Sequence, residues 1–577
     1  APAPAATPAP APTKAPPAPT PTPAAPAGPR GSITDFSIST VKKGVVWTGS
    51  TTGQIYNTMD GGKTWNNVTN FTDLPQNPNF VTVEAGHSDV NTAYAIANAG
   101  FGRGGAASGT EQNYIYRTHD GGKTWTRIVN GLPLDERTGS RLNVIREDPK
   151  QKGLLFAGSE TTMYVSFDDG DHWQPLRLNL PSTSIRDMVF HTDDGMNDLV
   201  ICTYGRGFWV LDDMSPLREV AAKAQAIASA PAYLFKPGDA IRSRENGNWD
   251  QPMNPELPHS QNPPFGAIIY YHLSKKPGEI KMQIFDAAGK LIRTITSVIP
   301  PKVTGAPYPD YWLKSPESRA LTTDIGTNRT NWNLRYDDPP GYNPDINNQM
   351  NAAPDQVTPG PHGPLVLPGT YTIKLTVDGA TYTQSVLVRN DPRIGESTKM
   401  MADLRGQNKL AMAAWQGMKD SYDANEEVAA VRDQLSTIMK GTLPPDVASA
   451  AKDLDTKLAT IGGIRRGGGF GGGFGAPARV PGSILTFFAE SGTFYTVLGP
   501  LSQNGIDMAP TGAMIHTWES GCREFTSTAT AWKAALSTDL VTFNSLLIKN
   551  SLTPLTIPAT NVRIPVACSF NTAGGKK

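Results

Sequence analysis

One phrase carries most of the residues in this chain whose types and spacing invite a chemical reading. It reads Thr58-Met59-Asp60-Gly61-Gly62-Lys63-Thr64-Trp65, then Thr118-His119-Asp120-Gly121-Gly122-Lys123-Thr124-Trp125, then Ser166-Phe167-Asp168-Asp169-Gly170-Asp171-His172-Trp173. An isolated aspartate beside polar neighbours suggests general acid or base work, and Gly-Lys-Thr is how a phosphate-binding loop ends. The phosphate reading fails on spacing: such a loop needs another glycine five residues before its Gly-Lys-Thr, where this chain has Asn57 and Arg117. Turn chemistry fits better. An aspartate accepts hydrogen bonds from backbone N–H groups a few residues on, and glycine supplies positive φ. The tryptophan is a large apolar anchor whose indole N–H needs one acceptor.

Other chemistry is less specified. A glycosidase needs two carboxylates facing each other at about 5–9 Å, and no spacing among the 52 acidic residues singles out a pair. Arg141, Arg146, Arg186 and Arg206 could form a carboxylate-binding cluster, although solvated arginines explain them as well. No Gly-x-Ser-x-Gly elbow, His-Glu-x-x-His helix or calcium loop occurs. The three cysteines, Cys202, Cys522 and Cys568, have no zinc-ligand spacing, so neither a metal nor another cofactor is expected. Cys202 lies in an apolar run and reads as a buried thiol. Cys522 and Cys568 are a possible disulfide in an oxidising compartment.

The elements that must position these residues are mostly strands. Gly (56) and Pro (50) are both abundant and charged residues make up only 18%, which favours turns and β structure. Basic and acidic residues balance at 52 each, which argues against nucleic acid or an anionic membrane as the main partner. No apolar run reaches the ~20 residues of a membrane span.

Residues 1–30 are almost all Ala, Pro and Thr and read as a disordered, polyproline-type tether. Residues 31–217 hold the repeats. Strand-like runs at Gly44–Thr48, Thr92–Ala97, Leu154–Ala157 and Leu199–Thr203 each precede a second strand that leads into the phrase or its degenerate equivalent. Residues 218–231 read as a helical connector. From 232 to 392 alternating strands without the phrase suggest an immunoglobulin-like β-sandwich, with Asp378-Gly379 as a hairpin turn. Residues 393–577 read as a helical bundle, with Leu404, Asn408, Ala411, Trp415 and Met418 on one face. The Gly-rich loop 462–475 interrupts it, either as a linker or as a docking loop through Phe470, Phe474, Arg465 and Arg466.

The phrase resembles the Asp-box, or bacterial neuraminidase repeat, of sialidases, sortilin-type receptors, xyloglucan-degrading endoglucanases and a photosystem II assembly factor. In those proteins the box closes a turn at the rim of a β-propeller blade, away from the catalytic centre. The wording of residues 146–217, including Gly205-Arg-Gly-Phe-Trp-Val-Leu-Asp-Asp213, is similar to large exported bacterial proteins with sortilin-like propeller repeats, often labelled glycosyl hydrolases. The resemblance covers most of residues 31–400, more weakly the helical end, and is to the C-terminal half of such proteins. The resemblance implies a mainly β protein with a helical C-terminus: a partial Asp-box propeller, a sandwich and a bundle. It implies a structural role for the box residues Thr58, Asp60, Gly62, Trp65, Thr118, Asp120, Gly122, Trp125, Ser166, Asp168, Gly170 and Trp173. The resemblance implies a ring of more blades than the roughly four in residues 31–217, and an open arc of four would leave two β edges exposed. Further blades are therefore expected from an N-terminal part or from another chain.

The expected function is binding or scaffolding outside the cytoplasm, toward a protein or a polysaccharide. The alternatives are a glycoside hydrolase with its site between propeller halves, and a subunit of an envelope complex.

Overall fold

The computed structural model describes residues 31–74, 78–99, 113–133, 141–193, 195–243, 256, 264–300, 320–340, 362–463, 482–488, 492–502 and 507–570. The expected tether and nearly all of the Gly-rich loop lie outside them. The chain divides into two compact units, residues 1–190 with 200–210 and residues 191–199 with 211–577. It is a mixed-β protein of several sheets with a helical C-terminus.

Four antiparallel sheets follow one another in the repeat region, and each is wound in strict chain order. The first holds β1 (Ile33–Ile38), β2 (Val46–Ser50), β3 (Ile55–Thr58) and β4 (Asn66–Asn67). The second holds β5 (Pro78–Ala85), β6 (Ala93–Ala99), β7 (Tyr114–Thr118) and β8 (Thr126–Arg127). The third holds β9 (Leu142–Glu147), β10 (Leu155–Ser159), β11 (Met163–Ser166) and β12 (Gln174–Pro175). The last has three strands, β13 (Ser184–His191), β14 (Asp198–Tyr204) and β15 (Phe208–Leu211). Each repeated phrase joins the third strand of its sheet to the short fourth strand.

Side chains on a regular strand alternate faces, so residues i and i+2 share one. A one-residue bulge changes that spacing. The pairing of β1 slips between Ile33 and Asp35, that of β5 between Phe80 and Thr82, and β9 slips at the same place opposite Gly158 and Ser159. The shared face therefore runs i, i+3, i+5: Ile33, Phe36 and Ile38 on β1, Phe80, Val83 and Ala85 on β5, Leu142, Ile145 and Glu147 on β9. Ile185, Met188 and Phe190 keep the same spacing on β13.

The triads of β5, β9 and β13 pack their sheets on the one before. Gly49 of β2 leaves room for Phe80 and Val83, since a Cβ there would lie 2.9 Å from both. Gly158 of β10 does the same for Ile185, at 2.6 Å. Leu142 and Ile145 join a core with Tyr94 and Ile96 of the second sheet, and Phe190 meets Phe156 edge-on at 5.8 Å.

In the second unit α1 (Ser215–Ser229) lies where a helical connector was expected. Two sheets follow. β16 (Ala232–Leu234), β18 (Ala267–Leu273) and β21 (Gly326–Trp332) form one, in the order β16-β18-β21. The other is ordered β17-β23-β22-β19-β20, from β17 (Ala240–Arg242), β19 (Ile280–Phe285), β20 (Leu291–Thr296), β22 (Gly369–Val377) and β23 (Ala380–Asn390). Their inward residues share one core, including Ile269, Tyr271, Met282, Trp332, Ile373 and Leu375. Asp378 and Gly379 both take positive φ, 47° and 87°, and turn β22 into β23.

The helical part is built on α2 (Thr398–Met439), whose N-cap Ser397 accepts from the Met400 N–H at 3.2 Å. α3 (Pro445–Gly462), α4 (Leu485–Phe488), α5 (Thr493–Ser502), α6 (Gly512–Ala534) and α7 (Leu540–Lys549) pack around it. Gly417 of α2 lets the Phe494 ring of α5 approach, because a Cβ there would lie 2.7 Å from the ring. Two residues of the predicted α2 face turn to the sheet loops. Asn408 donates to the Leu365 carbonyl at 2.7 Å, and the Trp415 indole donates to the Asp337 carbonyl at 2.9 Å. A disulfide joins Cys522 on α6 to Cys568, with Cα atoms 5.5 Å apart. Cys202 on β14 is a free, half-buried thiol.

Candidate functional site

Each repeated turn is closed by the same bonds. The Thr58 hydroxyl donates to Asp60 at 2.9 Å and accepts from the Gly62 N–H at 2.9 Å. Asp60 accepts in turn from the Thr64 backbone at 3.0 Å and hydroxyl at 2.6 Å. Thr118, Asp120, Gly122 and Thr124 repeat the set at 2.7–3.0 Å. In the third turn Ser166 replaces threonine, and His172 supplies both its N–H (2.9 Å) and its ring Nδ1 (2.7 Å) to Asp168. Gly62, Gly122 and Gly170 have φ of 86°, 86° and 91°, which a side chain would strain.

This bonding fixes the acid–base character of the aspartates. Bonds from the Thr64 side chain and backbone hold the Asp60 carboxyl down at about 2. The Thr124 backbone and hydroxyl do the same to Asp120, also to about 2. Burial pushes Asp168 up, but the bonds from His172 and Ser166 outweigh it and leave it below the ordinary carboxylate value. Carboxylates held as anions by their own turns are poor proton donors at neutral pH.

Beyond the shared bonds, the second and third turns are tied to the preceding sheet. The Trp125 indole donates to the Val68 carbonyl at 2.9 Å, and the Trp173 indole to the Ile128 carbonyl at 3.0 Å. Val68 and Ile128 each lie three residues after the tryptophan of their own sheet. The adjacent glycine fits the same side chain: a Cβ on Gly122 would be 2.6 Å from Val68, and one on Gly170 2.4 Å from Ile128. Polar side chains of the preceding third strand then cap the turn. Asn57 donates to the Gly121 carbonyl at 3.0 Å, and Arg117 donates to the Asp169 carbonyl. Asp169 takes positive φ, 62°, where the other two turns have glycine. Tyr94 (2.6 Å), His119 (2.9 Å) and Arg117 (3.2 Å) hold its carboxylate.

The first turn has the internal bonds without the outer ones. Trp65 is 46% exposed against 5% for Trp173, and its indole N–H has no partner among the described residues. A Cβ on Gly62 would meet only Trp65 itself, at 3.8 Å. On β1 the triad Ile33, Phe36 and Ile38 is 68%, 62% and 61% exposed, whereas Phe80, Val83 and Ala85 are at most 3% exposed. A cavity of about 390 Å³ opens here, lined by Ile33, Thr48, Ser50, Gln54, Tyr56 and Trp65 among others. The last sheet also exposes large side chains, at Val189, Tyr204, Phe208 and Val210.

Two of the four arginines considered for a carboxylate-binding cluster go to separate partners. Arg146 pairs with Asp187 at 2.7 Å and with Glu84 at 3.5 Å, and Arg186 pairs with Glu160 at 3.4 Å. A cavity of about 400 Å³ beside Arg523, Thr526 and Cys568 has no carboxylate in its lining, and neither does the one at Trp65. Among the described residues no cluster of His, Cys, Asp or Glu could hold a metal ion, and no helix is long and apolar enough to cross a membrane. The turn residues were legible in the sequence as a repeated phrase. The triads were not singled out; their signal was the i, i+3, i+5 spacing common to four strands.

No family model matches the chain, and no curated protein matches it. Among solved structures it is similar to the GH74 xyloglucanase from Xanthomonas campestris, with 12% identity over 31% of this chain and 29% of that one and a TM-score of 0.23. It is similar to YCF48 from Cyanidioschyzon merolae, at 17% identity over 32% of this chain and 56% of that one, TM-score 0.21. A third is the extracellular domain of a protein described as a hybrid two component system from B. thetaiotaomicron, at 9% identity over 62% and 38%, TM-score 0.23. The chain spans less than two thirds of each, and all three are of β-propeller type.

Proposed function

We propose that this chain is an exported binding or scaffold protein, built on Asp-box β-propeller blades that further blades complete. Those blades come from an N-terminal part or from another chain, and the finished surface contacts a protein partner or a polysaccharide. The observation that carries this reading is the β1 triad, exposed at 61–68% where the equivalent triads of β5 and β9 are buried. Burying a large apolar side chain stabilises by roughly 1.5–3 kcal/mol, so an exposed row of three is a surface with something to gain from a partner.

The same reading takes residues 232–392 as an immunoglobulin-like sandwich and residues 393–577 as a bundle that extends the scaffold. Its disulfide suits an oxidising, extracytoplasmic compartment.

Sedimentation of the chain from its native source tests the proposal. The expected species is heavier than the 61.8 kDa chain. Where the further blades belong to another chain, Phe36→Asp with Ile38→Asp releases that partner; where they are covalently attached, the mass stays and the two substitutions lower stability instead. A folded parent chain that always sediments alone at 61.8 kDa contradicts the reading.

A further inference from the structure

The first turn carries an unfilled half of a contact that the chain makes twice elsewhere. Between the first and second sheets, and again between the second and third, four features recur together. An apolar triad packs over the preceding sheet. The turn tryptophan donates to the carbonyl three residues after the preceding tryptophan. The turn glycine straddles that residue's side chain, Val68 or Ile128, and a third-strand side chain, Asn57 or Arg117, donates back to the turn. On the first sheet the receiving groups are all present: Ile33, Phe36 and Ile38, the Trp65 indole N–H, the slot over Gly62 and the Gly61 carbonyl. Among the described residues none of them meets its counterpart.

We propose that this face docks one kind of partner: an antiparallel sheet of the same repeat, latched through Trp65 and Gly62. The inference rests on the scaffold reading above and specifies the partner's chemistry. That sheet carries a valine or isoleucine three residues after its own turn tryptophan, with its carbonyl free for the Trp65 indole. It carries an amide or guanidinium at the end of its third strand, aimed at the Gly61 carbonyl. A glycine or other small residue on its second strand admits Phe36, as Gly49 admits Phe80 and Val83. A second copy of this chain does not supply these groups at its other end. Among the described residues the sheet of β13, β14 and β15 has three strands, and Asp212 and Asp213 follow it where the other sheets have their turn.

The chain contains its own best probe, because the first sheet presents the required groups on its opposite face. In the test, residues 32–77 are repeated ahead of Ser32, and the copy carries Phe36→Leu and Trp65→Phe so that native peptides stay distinguishable. Hydroxyl-radical oxidation is then read by peptide mass spectrometry. Oxidation of native Trp65 is expected to fall roughly ninefold, the ratio of 46% to 5% exposure, and Phe36 is expected to be protected with it. Gly62→Val in the native sheet restores Trp65 oxidation.

Protection of Phe36 without Trp65 would overturn the latch and leave the scaffold reading standing. Protection of neither, with Trp125 and Trp173 still shielded, would overturn both. A parent chain that already hides Trp65 and Phe36 in a dimer would overturn the latch in favour of self-association. If the repeat disturbs Trp125 or Trp173, the synthetic peptide Trp-Asn-Asn-Val-Thr-Asn-Phe is titrated against the parent chain. Saturable protection of Trp65 supports the proposal, and none at millimolar peptide overturns it.

Discussion

The first and third turns have the same internal bonding and opposite surroundings. Both close through a hydroxyl, an aspartate and a backbone N–H four residues past the hydroxyl. Yet Trp173 is buried against the carbonyl of Ile128, while Trp65 stands half exposed. The difference separates two functions that one motif combines. The aspartate and hydroxyl hold the turn and need no neighbour. The tryptophan and the second glycine hold one sheet to the next.

Four predictions sharpen that separation. The largest effect belongs to the tryptophans. Trp173→Ala empties a packed seam and is expected to lower stability by about 3–5 kcal/mol, whereas Trp65→Ala stays within about 0.5 kcal/mol, both read by chemical denaturation. Equal losses would show that Trp65 is buried in solution.

The glycines come next. Gly170→Val must fit a Cβ 2.4 Å from Ile128 at a φ of 91°. Overpacking adds about 1–3 kcal/mol to the positive-φ penalty. Gly62→Val meets only Trp65, at an ordinary 3.8 Å, and bears chiefly the backbone strain, about 1–2 kcal/mol. A thermal-shift comparison of the two distinguishes seam from turn.

Removing the turn hydroxyl probes what all three copies share. Thr58→Ala, Thr118→Ala and Ser166→Ala each leave a turn N–H without its acceptor and should cost about 1–2 kcal/mol apiece. Near-equal values support a turn that is independent of its neighbour. A much smaller loss at Thr58 alone would mean that the seam also supports the turn.

The smallest effect is in acid. Asp60 and Asp120 are held as anions more firmly in the folded chain than in the unfolded one. Their contribution is complete above the unfolded value of 3.8 and fades as pH falls toward about 2. Stability should decline through that window, and Asp60→Asn and Asp120→Asn should flatten the decline to a similar degree.

Much of this arrangement was legible in the residues, for reasons that are local. The turns announce themselves because Asp, Gly and Trp are required at fixed offsets by φ and by hydrogen-bond reach. Asp378-Gly379 was likewise set by local backbone geometry, and so was the helical character around Leu404 to Met418. The seams were harder to see, since a bulge moves the packed face from i+2 to i+3 and hides it from a period-two search. Asn408 and Trp415 show another limit. They share a helical face with Leu404 and Met418, but their polar atoms serve the loop carbonyls of Leu365 and Asp337. Nothing within the helix sequence names those partners. The glycines at 49 and 158 look like ordinary strand interruptions until the opposite side chains, Phe80 and Ile185, are placed.

The central claim is that the first sheet presents an unfilled seam, and the oxidation of Trp65 relative to Trp173 in the unaltered, monomeric chain tests it most directly. The account predicts fast, Trp-specific oxidation at residue 65 and protection at residue 173. Equal protection of both in a monomer would contradict it.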